Sequence, residues 1–424
     1  MSNVCSALKL WLSTFFPSAP EIVAVEPMHH SEYKNIVVIG GAWCAMRLAQ
    51  AVRTTPLPKG YRLIIIDKNS HFHYQFAFPR ASVLDGFENE LFIPYTKLFR
   101  SANEGVVVTG TVTEITPTSV KLSTVIHEFQ SDTIPYQYLV YATGTQQTSP
   151  CYLAGANTKA SGIAYLKAYQ RKLADASKIV IIGGGAVGIE LAAEIKEHFP
   201  EKEVTLVHSR ERYLLRYAPK LSQRVYEILD NIGVRQILGE RVSVPEGGFV
   251  EGKMTTLKLS KSGQEIESDL QIMCVGGKAN SALLTTLSPT IVDKCGRVKV
   301  KPTMQIEDDR YPNVFAAGDV TNTEDPNSGG VAWKHGDVIY QNILKMIAAK
   351  ESGAPTTPLT NHVIVIPQII LYLGLYQGAA QMVVFGRPIL LPNFLIKRFF
   401  TRNVGADRIW AWMNQTMDPA SVQL

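Results

Sequence analysis

Two stretches of the chain share one hydrophobic pattern. Residues 36–39 and 179–182 are unbroken runs of Ile and Val, and each stops at small residues before a segment of helical composition. Overlaid, IVVIGGAWCAMRLA from Ile36 and IVIIGGGAVGIELA from Ile179 align without a gap. A short β-branched run bounded by glycines reads as a strand buried on both faces, as in parallel sheets. The helix after the first turn runs to about Val52, and the one after the second ends near Pro200. Apolar runs at 63–66, 138–141, 204–207 and 270–275 predict further buried strands, whereas 106–108, 112–115 and 120–122 read as short antiparallel strands. Segment 311–320 predicts a strand and a small-residue turn, and 333–346 a helix.

Both ends of the chain stand apart from this alternation. The stretch 7–16 (ALKLWLSTFF) is apolar but too short to cross a bilayer. The small residues after it resemble a signal-peptide cleavage region, and Ser2 excludes N-myristoylation. A peripheral membrane anchor and a disordered leader are the two favoured readings. From Asn361 the chain turns apolar again, but Pro367 and Gly374 interrupt it, so no transmembrane helix is expected. FLIKRFFTR (394–402) and IWAWM (409–413) mix cations with large aromatics. That composition fits docking on anionic lipid, and equally fits ordinary packing.

Composition narrows the class. A chain of 424 residues with 46% hydrophobic content can build two or three domains around substantial cores. A net charge of +5 is mild at this length, and no nucleic-acid partner is expected. The five cysteines are scattered without a C-x-x-C pair, which argues against a disulfide framework, a metal site and a redox-active disulfide. A reducing, intracellular compartment follows.

The candidate chemistry lies at the ends of the apolar runs. Gly183, Gly185 and Gly188 complete a G-x-G-x-x-G turn between strand and helix, where backbone amides meet a pyrophosphate. In the first unit Gly40 and Gly41 are followed by Ala42 and Ala45 at the second and third glycine positions, so Ala42 carries a methyl group toward the expected phosphate. Asp67, about twenty residues on, is spaced to bond the ribose hydroxyls of an adenosine, with Lys68 beside it. Segment 71–81 (HFHYQFAFPRA) reads either as a cover for a planar ring, with Arg80 near an anionic group, or as a buried aromatic loop. Thr143 and Gly144, Gly276 and Gly277, and Gly318 and Asp319 mark three further corners where backbone can approach a cofactor. The strand at 204–207 ends in His208 rather than an acid. Arg210 and Arg212 beyond it fit a 2′-phosphate or a plain surface, which leaves NADH and NADPH both open. Two nucleotide units in one chain point to electron transfer between two cofactors.

This ordered set resembles the two-dinucleotide-binding-domain flavoproteins. Within them it is most similar to the apoptosis-inducing-factor-like group that includes ferroptosis suppressor protein and fungal homologues. The resemblance is specific in PRASV (79–83), FIPYTKLF (92–99), EKEVTLVHS (201–209), GERVS (239–243) and NVFAAGDV (313–320). It implies an α/β fold of two Rossmann-like domains, the NAD(P) domain inserted in the FAD domain, with a C-terminal extension. The implied boundaries are a leader at 1–34, FAD-binding parts at 35–150 and 296–350, an NAD(P) domain at 151–295, and an acceptor or membrane-proximal region at 351–424.

The same resemblance implies FAD at Gly40, Gly41, Asp67, Thr143, Gly144 and Asp319. It implies NAD(P)H at Gly183, Gly185 and Gly188, with Glu190 near the reacting rings. Relatives place a lysine where Asn327 stands, near the flavin, and Lys334 and His335 are substitutes for that cation, though Lys334 also reads as plain helix surface. The activity implied is that of a single-chain NAD(P)H:quinone oxidoreductase with a quinone-like or apolar acceptor. The implied setting is cytoplasmic or peripheral on an organelle membrane (mitochondrion or lipid droplet), with a homodimer left open. Two alternatives stand beside it: a flavin-dependent tailoring enzyme for an apolar secondary metabolite, and a nucleotide-binding protein that has lost reductase activity.

Overall fold

In a computed structural model, which describes residues 33–250, 252–355, 357–399 and 403–417, the two β-branched runs are interior strands of two parallel sheets. Of the leader expected at 1–34, residues 1–32 lie outside the described residues, and Lys34 already opens the first strand. The first sheet starts with β1 (Lys34–Ile39), followed by α1 (Trp43–Thr54) and β2 (Tyr61–Asp67). It continues with β3 (Gly105–Thr109) and β4 (Tyr138–Tyr141). The chain then forms α2 (Lys159–Asp175), where the hydrophobic pattern marks only a link, and enters the second sheet. That sheet holds β5 (Lys178–Ile182), α3 (Ala186–His198), β6 (Glu203–His208), β7 (Arg235–Leu238) and β8 (Leu270–Met273). Finally β9 (Val314–Ala316) returns to the first sheet and leads into α4 (Gly329–Ser352). Strand order is β9-β4-β1-β2-β3 in the first sheet and β7-β6-β5-β8 in the second, all pairs parallel.

These sequences become central strands because both faces are covered, so every position can be apolar. Ile36, Val37, Val38 and Ile39 are buried, as are Ile179, Val180, Ile181 and Ile182. One expectation fails here. Residues 106–108 belong to β3, which pairs parallel with β2 from Leu63↔Gly105 onward, so they are not part of an antiparallel set. The antiparallel sheet is formed by Val112–Ile115, Ser119–Ile126 and Ser131–Pro135. Short Val-rich strands look alike in either setting, and only the partner decides.

The C-terminal region folds as an antiparallel sheet (Ile369–Tyr372, Gly378–Val384, Arg387–Leu390) and two short helices, Asn393–Phe399 and Ala406–Trp412. It is held to α3 by three carboxylates at helical spacing. Glu190 Oε1 accepts from Tyr372 N (2.9 Å), and both Glu197 oxygens accept from Leu375 N (3.0 Å). Between them Arg80 Nη2 donates to Glu194 Oε1 and to the Gly374 carbonyl, each at 2.7 Å. No helix among the described residues is long and apolar enough to cross a membrane.

Candidate active site

The glycine turns have the same backbone geometry in both sheets. Gly40 has φ +105° and Gly183 φ +118°; a Cβ on either would lie 2.4 Å from a carbonyl oxygen, of Ala142 and Cys274 respectively. Only glycine serves where the strand end turns so close to its neighbour. Helices α1 and α3 begin at Ala42 and Gly185 without a side-chain cap, whereas Thr158 and Ser328 cap α2 and α4. The first-turn amides of α1 and α3 thus have no side-chain cap.

Gly188 is required by packing, since a Cβ there would meet Gly183 O at 2.0 Å. Gly185 is not: it is exposed, and a Cβ would meet nothing within 4 Å, so the protein's own packing does not require glycine there. Ala42 is exposed, and Met46 N still donates to its carbonyl at 3.0 Å, so the alanine leaves the first turn intact.

A cavity of about 340 Å³ opens beside the first turn, lined by Gly40, Asp67, Lys68, Gly110, Thr143 and Tyr152 among others. Asp67 Oδ2 accepts from Gly41 N (2.5 Å) and Oδ1 from Asn69 N (2.7 Å), while burial pushes its pKa above the usual carboxylate range. Lys68 Nζ lies 5.2 Å from the Tyr152 ring centroid. Thr143 Oγ1 donates to Asn280 O (2.8 Å) and Asn280 N to Gly144 O (3.0 Å). These contacts tie the two crossing segments together next to the cavity. Gly277 lies at the same crossing, where a Cβ would meet Gln146 O at 2.5 Å, and it lines neither this cavity nor the next.

A second cavity, of about 310 Å³, lies where α3, the N-terminus of α4 and the C-terminal region converge. Its lining includes Trp43, Phe76, Glu190, Asn327, Ile370 and Tyr372. Trp43 stacks on Phe76 with centroids 5.2 Å apart at 21°, so part of the aromatic segment 71–81 does form a cavity wall. Burial pushes the Glu190 carboxyl up to about 8; the Tyr372 amide opposes this, the nearby Glu194 adds to it and Arg80 opposes it. Gly318 (φ +75°) and Asp319 form the turn before α4, and burial lifts Asp319 to about 6 against the Arg297 charge and the Ser328 amide.

Two expectations are corrected. Arg80 faces no ligand anion: it is almost fully buried and its guanidinium is taken up by Glu194 and Gly374 O. His335 does not reach the cavity. Its Nδ1 accepts from Gly318 N (3.0 Å), which leaves the ring proton on Nε2, 3.5 Å from Asp325 Oδ2. Burial keeps His335 below the ordinary histidine value. Burial also works against the charge on Asp325, but the nearby His335 ring and the hydrogen bonds with His362 (2.8 Å) and Val365 N (2.8 Å) outweigh it and hold that carboxyl well below its usual range. His335 is therefore a positioning residue under the Gly318 turn. The cation on the cavity wall from that pair is Lys334 instead. Sequence reasoning missed Arg408, which lines the same cavity from the last helix, and Trp43, whose signal was present as an aromatic beside the glycine turn.

Two parallel sheets, each turning at a glycine corner into a helix without a side-chain cap, and the first with a cavity at its strand ends, have the form of a protein that binds two nucleotides. Comparison with known proteins bears this out. Residues 34–336 match the family described as pyridine nucleotide-disulphide oxidoreductase, and the chain belongs to that family. Fe-regulated protein 8 of Mycosarcoma maydis is 32% identical over 351 residues, 77% of this chain and 86% of that one. Ferroptosis suppressor protein 1 of Homo sapiens is 27% identical over 394 residues, 90% of this chain and 96% of its own length. Among solved structures, the sulfide:quinone oxidoreductase of Aquifex aeolicus has the same fold, with a TM-score of 0.64 at 16% identity over 91% of this chain and 93% of that one. The chain is an FAD-dependent NAD(P)H oxidoreductase. The reading as a nucleotide-binding protein without reductase activity is thereby withdrawn.

Proposed function

We propose that the protein passes electrons from NAD(P)H, through FAD, to a quinone-like, largely apolar acceptor taken up in the 310 Å³ cavity. The observation that carries this reading is the make-up of that cavity. Trp43, Phe76, Ile370 and Leu371 give it apolar walls, and it is bordered by the Glu190 carboxyl and the cations of Lys334 and Arg408. An apolar cleft with a few convergent polar groups is the usual form of a small-molecule site.

FAD, when bound, supplies the redox chemistry by taking a hydride from the nicotinamide and returning electrons to the acceptor. Gly183, Gly185 and the free amides of α3 hold the pyrophosphate of the nicotinamide nucleotide. Gly40, Gly41, Asp67, Thr143 and Asp319 frame the FAD. Trp43 and Phe76 keep water from the planar reactants. Glu190, neutral at pH 7, keeps a proton on its carboxyl at the cavity wall and gives it to an acceptor oxygen that gains electrons. Lys334 and Arg408 favour negative charge developing in the cavity, the part that Asn327 cannot play.

The proposal includes a membrane-facing surface. Phe385 is 93% exposed beside Arg387 at a hairpin tip, and the same C-terminal unit exposes Phe394 and Tyr376, with Lys397 Nζ 5.0 Å from the Tyr376 ring centroid. Aromatics interleaved with cations suit the headgroup region of an anionic bilayer, hence peripheral association with an organelle membrane. The cavity assignment is tested by Ile370→Trp, which fills the acceptor space. The KM for a short-chain ubiquinone analogue should rise about tenfold, the size of a lost pocket contact. An unchanged KM would place the acceptor elsewhere.

A further inference from the structure

Beside Glu190, the wall of the 310 Å³ cavity carries a second polar group, and one residue joins the two. Tyr372 ends the strand Ile369–Tyr372, and its backbone amide donates to Glu190 Oε1 (2.9 Å). An amide bound at Oε1 leaves the Glu190 proton to Oε2. The Tyr372 side chain lines the same cavity, on the face of the strand that it shares with Ile370. Its hydroxyl has no hydrogen-bond partner among the described residues. We propose that the Tyr372 hydroxyl donates a hydrogen bond to a carbonyl oxygen of the acceptor, so that the cavity favours diones over acceptors that merely take single electrons. The proposal rests on the reading of this cavity as the acceptor site.

The surroundings of the hydroxyl keep it a donor. Burial pushes it up to about 12, with the Arg408 charge opposing the rise and Glu190 adding to it. Glu190 and Arg408 both belong to the cavity wall, so the charges that reach this hydroxyl are those that border the acceptor space. At neutral pH Tyr372 holds its proton and offers it without giving it up. Two other tyrosines on the wall are placed differently. Tyr74 Oη donates to Val404 O (2.7 Å), and Tyr217 is shifted by burial and Arg216 rather than by Glu190. An oxygen that gains electrons gains negative charge, and a donor beside it binds more tightly in the transition state than in the ground state. Glu190 thus supplies a proton and Tyr372 a hydrogen bond, and the Tyr372 amide keeps the two groups in register.

The test follows reoxidation of the FAD-loaded protein, reduced with NADPH and mixed anaerobically with a short-chain ubiquinone analogue or with ferricyanide. Tyr372→Phe keeps the ring and the amide bond to Glu190, so FAD content and bleaching by NADPH should match the unsubstituted protein. The limiting rate of reoxidation by the quinone should fall about tenfold, the size of a lost hydrogen bond, with little change in half-saturation. The rate with ferricyanide, which offers no carbonyl oxygen, should not change. The fall in quinone rate above about pH 8 should persist, because Glu190 keeps its amide partner. Equal quinone rates in the two proteins would overturn the proposal. So would parallel losses with quinone and ferricyanide, lost bleaching or a displaced pH limb, each of which marks a general disturbance of the site. A loss in Tyr217→Phe that Tyr372→Phe lacks would assign the donor to the other tyrosine. Recovery that does not saturate with quinone in the unsubstituted protein would overturn the cavity reading itself, a result distinct from a silent Tyr372→Phe.

Discussion

At the scale of residues, the account turns on Glu190. The family resemblance singles it out just past Gly188, but nothing in the sequence gives its proton. Neutrality at pH 7 comes from burial, aided by Glu194 and opposed by an amide 182 residues away, at Tyr372, and by Arg80, none of which local spacing reveals. A carboxyl raised to about 8 is protonated below that value and charged above it. Acceptor reduction is therefore expected to fall as pH rises through about 8, and Glu190→Gln, which keeps an acceptor for the Tyr372 amide, should remove that limb. A pH–rate profile unchanged by the substitution would take the proton role from this residue. Arg80 and His335 were misread for the same physical reason. A cation or imidazole in a conserved-looking motif reads as ligand-facing until its partners are seen, and theirs, Glu194 and Asp325, come from other elements.

At the scale of elements, the glycine turns and their strands could be read because a strand buried on both faces leaves an apolar run that a tight corner must end. The docking of the C-terminal region on α3 could not, since nothing in the local sequence shows that Glu190, Glu194 and Glu197 meet residues some 180 positions further on or Arg80. Each binds backbone or Arg80, and the Arg80–Glu194 pair is nearly inaccessible to water. Breaking a buried pair by removing one partner costs about 3–5 kcal/mol. Burial already pushes Glu194 toward its neutral form, which offsets part of that loss. Arg80→Met should thus lower unfolding free energy by about 3 kcal/mol in urea titration, with a smaller loss at acid pH, where Glu194 takes up its proton. An unchanged midpoint would mean that the pair does not hold the elements together. Val-rich β3 taught the converse lesson: its strand character was legible, its parallel partner was not.

At the scale of the whole molecule, the doubled pattern was enough to imply two nucleotide units, and the family bears out both cofactors. The cavity proposed for the acceptor was not legible, because its walls come from α1, the 71–81 segment, α3, α4 and the C-terminal region at once. The exposed aromatics at Phe385 and Phe394 belong to this scale too. Wild-type protein should co-sediment with vesicles containing anionic lipid, and Phe385→Asp with Phe394→Asp should reduce the bound fraction severalfold, in proportion to lost apolar insertion. Equal binding by both proteins would remove this surface from the account.

The most direct test of the central claim is a double-mixing experiment under anaerobic conditions. Protein loaded with FAD is first bleached with NADPH, then mixed with increasing short-chain ubiquinone analogue while the flavin absorbance is followed. The account expects recovery of the oxidised spectrum at a rate that saturates with acceptor concentration, with half-saturation displaced upward in Ile370→Trp. Bleaching followed by recovery that never saturates, and that Ile370→Trp leaves untouched, would contradict a built acceptor site in this cavity.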